Sequence, residues 1–214
     1  MKYKAILFDM DGVLVDSGFA MRSASLDMLK TCYQIEAHHE DFFPFTGMGE
    51  KAYIGGVSDK YGVPYEDKMK DMAYDSYGKN FRHLIKTYDG ICEMVYALKD
   101  KGYKLAVASS ADRVKVLINI ETIGLKPEDF DAVLTGTDTE KKKPDPEIYL
   151  LAAKATGTEP SECLVVEDAF SGIQAAKNAG MDCVAVATTF DEEKLKETTA
   201  TYIVKNTKDI ADIL

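Results

Sequence analysis

The chain has 214 residues, 46% of them hydrophobic and 29% charged, with a formal net charge of −10. That size suits one large domain, or one domain with a smaller insert, and leaves room for a sizeable core. The acidic balance argues against nucleic acid and anionic membranes as partners, because phosphate surfaces would repel the molecule as a whole. A small phosphorylated ligand stays compatible if local cations neutralise it.

The first predicted element is a buried strand, AILF, from Ala5 to Phe8. It ends on two carboxylates, Asp9 and Asp11, with Gly12 after them. Lys4 and Asp9 interrupt any apolar start, so no signal peptide is expected. Residues from about 18 to 86 read differently: they are rich in Met, Tyr, Lys, Asp and Glu and show helical patterns. Linkers are expected near Asp16–Gly18 and Thr87–Gly90. The division is therefore a core over 1–16 and 88–214 and a helical cap over 17–87. Gly47 and Gly49 are expected to break a helix, and their loop, with Thr46 and Glu50, to read the substrate. Met69, Met72, Tyr74 and Tyr77 are assigned to the core of the insert. His38 and His39 are neighbours in sequence and point in different directions, so no metal site is assigned to them.

Beyond the insert, apolar runs alternate with amphipathic stretches. The runs are LAVAS (105–109), DAVLT (131–135), CLVVE (163–167), CVAVA (183–187) and TYIV (201–204); between them lie ICEMVYALKDKG (91–102) and EIYLLAAKATG (147–157). Strands alternating with helices of this length predict βαβ units, hence an α/β fold with a Rossmann-like parallel sheet. The runs are apolar on both faces, as strands covered by helices require. Asp145 is expected to cap a helix with Pro146 at its first position. Ser171 and Gln174 are expected to form a capping box, in a helix that Gly180 closes. No run is long enough to span a membrane. The cysteines, Cys32, Cys92, Cys163 and Cys183, are far apart and make no C-x-x-C pair, which suits a reduced, cytoplasmic chain.

In an open parallel sheet, ligands bind beyond the carboxyl ends of the strands. The residues following those ends are Asp9 and Asp11, then Ser109 and Ser110, then Lys143 before Pro144, then Glu167 and Asp168. Clustered carboxylates repel one another unless a cation sits among them, and all-oxygen ligands suit Mg2+. One carboxylate can attack phosphorus, and a second can protonate the leaving group and then activate water. Lys143 and the Ser109 hydroxyl can bind phosphoryl oxygens. The set describes phosphoryl transfer. Lys141 and Lys142 are assigned to a solvated face, and Ser110 or Asp112 to a helix cap.

These residues also carry a resemblance. DMDGVLVDS, VASSADR, KKPDP and VVEDAFSGIQAAKNAG resemble, in order, the four motifs of the haloacid dehalogenase superfamily, and the insert position resembles its helical-cap subgroup, which includes β-phosphoglucomutase and related sugar phosphatases. The resemblance implies Asp9 as nucleophile and Asp11 as general acid/base. It implies Mg2+ held by Asp9, the Asp11 backbone carbonyl and Asp168, with Glu167 a ligand or a supporting partner. It implies Ser109, the Ser110 backbone and Lys143 around the phosphoryl group.

An Asp at position 11 favours phosphate esters. Dehalogenases lack this acid/base, and phosphonoacetaldehyde hydrolases carry alanine there and use a cap lysine, for which Lys51 lies in a plausible region. Where β-phosphoglucomutases place a cap histidine and a phosphate-binding arginine, this chain aligns Met21 and Glu50, and a carboxylate would repel a distal phosphate. The stretch PFTGMGEKAYIGGVSDKYG also resembles the hydrolase-type domain of a plant chloroplast protein, which implies no substrate. The expectation is Mg2+-dependent hydrolysis of a small phosphorylated metabolite, such as a sugar phosphate, by a monomer or weak dimer. A β-phosphoglucomutase-like mutase is the first alternative, and a noncatalytic regulatory module on this fold the second.

Overall fold

The structure is a computed structural model and describes residues 2–45 and 49–214. The chain divides into two compact units, Met1–Asp16 with Thr87–Leu214, and Ser17–Lys86.

The first unit is built on a six-stranded sheet: β1 (Ala5–Phe8), β2 (Lys104–Ala108), β3 (Ala132–Leu134), β4 (Cys163–Glu167), β5 (Asp182–Val186) and β6 (Tyr202–Val204). The spatial order is β3-β2-β1-β4-β5-β6, and every neighbouring pair is parallel. Strand order reverses between β1 and β4, and this is the switch point at which doubly wound sheets open a crevice.

The apolar runs dictate this arrangement. Ile6, Leu7 and Phe8 are fully buried, and burying each contributes about 1.5–3 kcal/mol. Ala5 and Leu7 face a core of Ala106, Ala108, Tyr149, Val165, Ile173 and Ala185. Helices of this unit are Ile91–Asp100, Arg113–Thr122, Glu147–Thr156 and Phe170–Asn178, with a short turn at Glu192–Leu195.

Two helix starts differ from expectation. The Glu147 helix begins one residue later than proposed, with Pro146 at its N-cap. Asp145 still accepts from the Glu147 amide at 3.1 Å, two residues on, as a short carboxylate does. The Phe170 helix has Ala169 at its N-cap, so Ser171 lies inside it and makes no capping box, and Gln174 donates to Asn178 instead. Just ahead of this helix, the buried Glu167 carboxylate accepts from the Asp168 and Ala169 amides at 2.8 Å each. Gly180 does close this helix, with Met181 N donating to Ala176 O at 3.0 Å.

The second unit is helical, with helices Gly18–Tyr33, Glu50–Lys60 and Asp67–Ser76 followed by a π turn, Tyr77–Phe81. Met69, Tyr74 and Tyr77 are buried with Phe42, Ile54 and Val57. Met72 is only half-buried: it stands one helical position away from the buried face of Met69, Ala73 and Ser76. His39 stacks on Phe19 with ring centroids 4.9 Å apart. Among the described residues, no helix is long and apolar enough to cross a membrane.

Candidate active site

Each of the core strands at the switch point hands its last residues to one edge. Phe8 ends β1 in register with Val107 and Val166, so Asp9 emerges between β2 and β4, its amide bonded to Val166 O at 2.9 Å. The chain then turns sharply: Leu14 N returns to Met10 O at 2.9 Å and Gly12 N to Val15 O at 2.7 Å. The fully buried side chains of Met10, Val13 and Leu14 anchor that turn while Asp9 and Asp11 keep their carboxylates at the edge.

Lys143 is the hub. Its ammonium donates to Asp9 Oδ1 at 2.6 Å, Glu167 Oε1 at 2.8 Å and Ala108 O at 3.1 Å, which uses the three N–H bonds it has. The ammonium also lies over the Tyr149 ring, its nitrogen 4.7 Å from the centroid, and the Tyr149 hydroxyl donates to Glu167 Oε1 at 3.1 Å. Glu167 therefore has both oxygens engaged, Oε1 by Lys143 and Tyr149 and Oε2 by two backbone amides. That is the geometry of a group that fixes Lys143 and the following turn.

Ser109 is buried, its amide bonded to Leu134 O at 3.0 Å, and its oxygen accepts from Ala111 N at 3.2 Å, leaving its O–H free to donate onward. Ser110 is half-buried, and its carbonyl packs so closely on Gly136 that a Cβ there would lie 2.2 Å away. Asp168 is buried, and its Oδ2 accepts from Thr189 Oγ1. A Cβ on Gly12 would sit 1.9 Å from that same Oδ2, so Asp168 fills the space that Gly12 leaves open beside Asp9 and Asp11. Asp11 accepts from Lys115 at 2.7 Å and from Asn119 at 3.2 Å.

The electrostatics follow from this crowding. Burial pushes Asp9 up to about 7; Lys143 opposes the shift, while Glu167 and Asp11 add to it. Burial likewise raises Asp168 well above the carboxylate range, and the charges of Glu167 and Asp9 add to this. Burial would lower Lys143, but Asp9 and Glu167 outweigh it and hold the ammonium protonated. One ammonium among three buried carboxylates leaves an excess of negative charge, which a cation would relieve. Asp9 and Asp168 offer carboxylate oxygens to it. Among the described residues, no group of three or more His, Cys, Asp or Glu side chains is assembled for a metal. Mg2+ needs no such cage, since one or two carboxylates, waters and a phosphate complete its shell.

The structure thus brings Asp9, Asp11, Ser109, Lys143, Glu167 and Asp168 to one edge of the sheet. Lys141 and Lys142 are both exposed, as assigned, and the Lys142 ammonium donates to Gly136 O beside the Ser110 loop. Glu50 opens its helix in the second unit, half-buried, and Lys51 in the same turn lies over the Tyr65 ring. Thr46 and Gly47 lie outside the described residues. Sequence reasoning missed Tyr149, Thr189, Lys115 and Asn119. Lys115 and Asn119 had a signal: both are polar, four apart, in a helix whose buried face also carries Val116 and Ile120.

A Rossmann-like parallel sheet with a carboxylate crevice at its switch point, and a buried lysine joining the strands there, has the architecture of an α/β enzyme with its site at the strand ends. The chain belongs to the haloacid dehalogenase-like hydrolases, whose family pattern it matches over residues 6–186. It is 42% identical over 202 residues to protein SUPPRESSOR OF QUENCHING 1, chloroplastic, of Arabidopsis thaliana, a match covering 92% of this chain and 19% of that protein. It is 32% identical over 196 residues to validoxylamine A 7'-phosphate phosphatase of Streptomyces hygroscopicus subsp. limoneus, covering 91% of each. The crystal structure of β-phosphoglucomutase from Clostridium difficile superposes with a TM-score of 0.78 at 22% identity, covering 97% of this chain and 93% of that one, which shows the shared fold.

Proposed function

We propose that the chain is a Mg2+-dependent phosphatase acting on a small phosphomonoester, with sugar phosphates the first class to test. The observation that carries this reading is the Asp9–Lys143–Glu167 chain, with Asp11 two residues from Asp9 and Ser109 on the adjacent strand end. In the first step an Asp9 oxygen attacks phosphorus, the bond to the leaving oxygen breaks, and Asp11 gives that oxygen a proton. In the second, water attacks phosphorus, Asp11 takes the water's proton, and the bond to Asp9 breaks, releasing phosphate. Lys143 and the Ser109 hydroxyl, with the Ser110 backbone, bind the phosphoryl oxygens. Asp9, Asp168 and the Asp11 carbonyl would hold Mg2+, which when bound neutralises carboxylate and phosphoryl charge.

The phosphatase name of the Streptomyces relative supports hydrolysis of a phosphorylated small molecule. Met21, buried, and Glu50, a carboxylate, offer neither the histidine nor the arginine of a phosphosugar mutase, which favours hydrolysis over isomerisation. In this reading Thr46, Gly47 and Glu50 belong to the substrate-reading loop, and the protein is a cytoplasmic monomer or weak dimer. The test is phosphate release from a panel of phosphorylated metabolites with and without Mg2+. Release that needs Mg2+ and is lost in Asp9→Asn supports the reading; no release from any compound sinks it. Glucose 1-phosphate with a bisphosphate primer is then the next assay.

A further inference from the structure

We infer that Lys115 and Asn119 are a positioning pair that orients the Asp11 carboxylate for proton transfer; this rests on the phosphatase reading above. Lys115 is 7% exposed and Asn119 fully buried, and they lie one turn apart on the Arg113–Thr122 helix. Burying an ammonium carries a desolvation penalty of several kcal/mol unless it meets a well-placed partner. A leucine would fill such a site at no such cost. What the lysine delivers there is contact with Asp11.

The contact is two-point. Lys115 Nζ takes Oδ2 at 2.7 Å and Asn119 Nδ2 takes Oδ1 at 3.2 Å. One bond would leave the carboxyl group free to rotate; two bonds, one to each oxygen, fix its plane. The Asp11 side chain is 34% exposed, so packing alone does not hold it. A general acid must be presented to the leaving oxygen at hydrogen-bond distance, and a loss of alignment is lost rate. The helix that carries the pair also follows directly from Ser109–Asp112. The loop assigned to the phosphoryl group and the clamp on the proton donor are therefore one continuous piece of chain, and Ser109 and Asp11 are held in step although 98 residues separate them in sequence.

The test uses p-nitrophenyl phosphate, whose leaving group departs readily without a proton, and phenyl phosphate, whose leaving group benefits from one. The constant read is kcat/KM, which stops at the first bond cleavage. In Lys115→Met and Asn119→Ala, kcat/KM for phenyl phosphate is expected to fall about tenfold or more, and for p-nitrophenyl phosphate by less than about threefold. Equal losses on both compounds would mean a structural or phosphate-binding role and overturn the inference, as would no loss on either. If Lys115→Met does not fold, as judged by circular dichroism, Asn119→Ala carries the test. Wild type silent on both compounds and on the metabolite panel, or active after Asp9→Asn, overturns the phosphatase reading itself. A wild type dependent on Asp9 and Asp11 with unchanged clamp variants overturns the clamp alone.

Discussion

The ammonium of Lys143 stands 2.6 Å from the carboxylate of Asp9, and both side chains are nearly closed off from solvent. A buried ion pair is expensive to desolvate and more expensive to break, since the survivor is left charged and alone. Here the survivors would be two carboxylates, Asp9 and Glu167. Lys143→Met should therefore destabilise the fold by about 3–5 kcal/mol and reduce turnover at least about a hundredfold. Thermal melting and steady-state kinetics on one preparation check both. A variant with wild-type melting and activity would remove Lys143 from the account.

The pH dependence of stability has a definite sign. Asp9 is raised in the folded state from an ordinary 3.8 to about 7, chiefly by burial, and Asp168 moves in the same direction. Between about pH 4 and pH 7 the folded protein keeps a proton that the unfolded chain has released, so stability falls as pH rises through that window. Lys143, also raised, stays protonated throughout and adds no slope there. In EDTA the melting temperature should be higher near pH 5 than near pH 8. Added Mg2+ should raise it more near pH 8, because binding needs the carboxylates deprotonated. A flat profile in EDTA would contradict this assignment.

Gly12 separates strain from site damage. Its φ of +86° lies in the left-handed region, and a Cβ would stand 1.9 Å from Asp168 Oδ2. Gly102 has φ +88°, yet no atom within 4 Å of where its Cβ would be. Gly102→Ala should destabilise by about 1–2 kcal/mol and leave kinetics unchanged, since it bears the backbone penalty alone. Gly12→Ala should bear that penalty and also displace Asp168, with activity lost more than about tenfold. Parallel melting curves and rates decide, and equal activity in the two variants would contradict the packing described.

The sheet was readable because each of its strands is a short apolar run ended by a polar group or a turn, and β4 matches the run CLVVE residue for residue. The candidate site was largely readable for the same reason, since Asp9, Ser109 and Asp168 each directly follow the end of a strand, while Lys143 comes nine residues after β3 and stood out by its place before Pro144. What lay outside that logic was missed. Ser171 and Gln174 have the spacing of a capping box, but spacing does not reveal that the helix already begins at Phe170 and so places Ser171 inside it. Lys115 and Asn119 follow no motif, and only tertiary packing brings them to Asp11, 104 and 108 residues away.

Covalent phosphorylation of Asp9 is the central claim, and rapid-quench mass spectrometry tests it most directly. Enzyme mixed with Mg2+ and p-nitrophenyl phosphate, quenched in acid and digested, should yield the Asp9 peptide with the added mass of one phosphoryl group, removable by hydroxylamine and absent in Asp9→Asn. Turnover with no phosphorylated Asp9 peptide, together with undiminished activity in Asp9→Asn, would contradict the account.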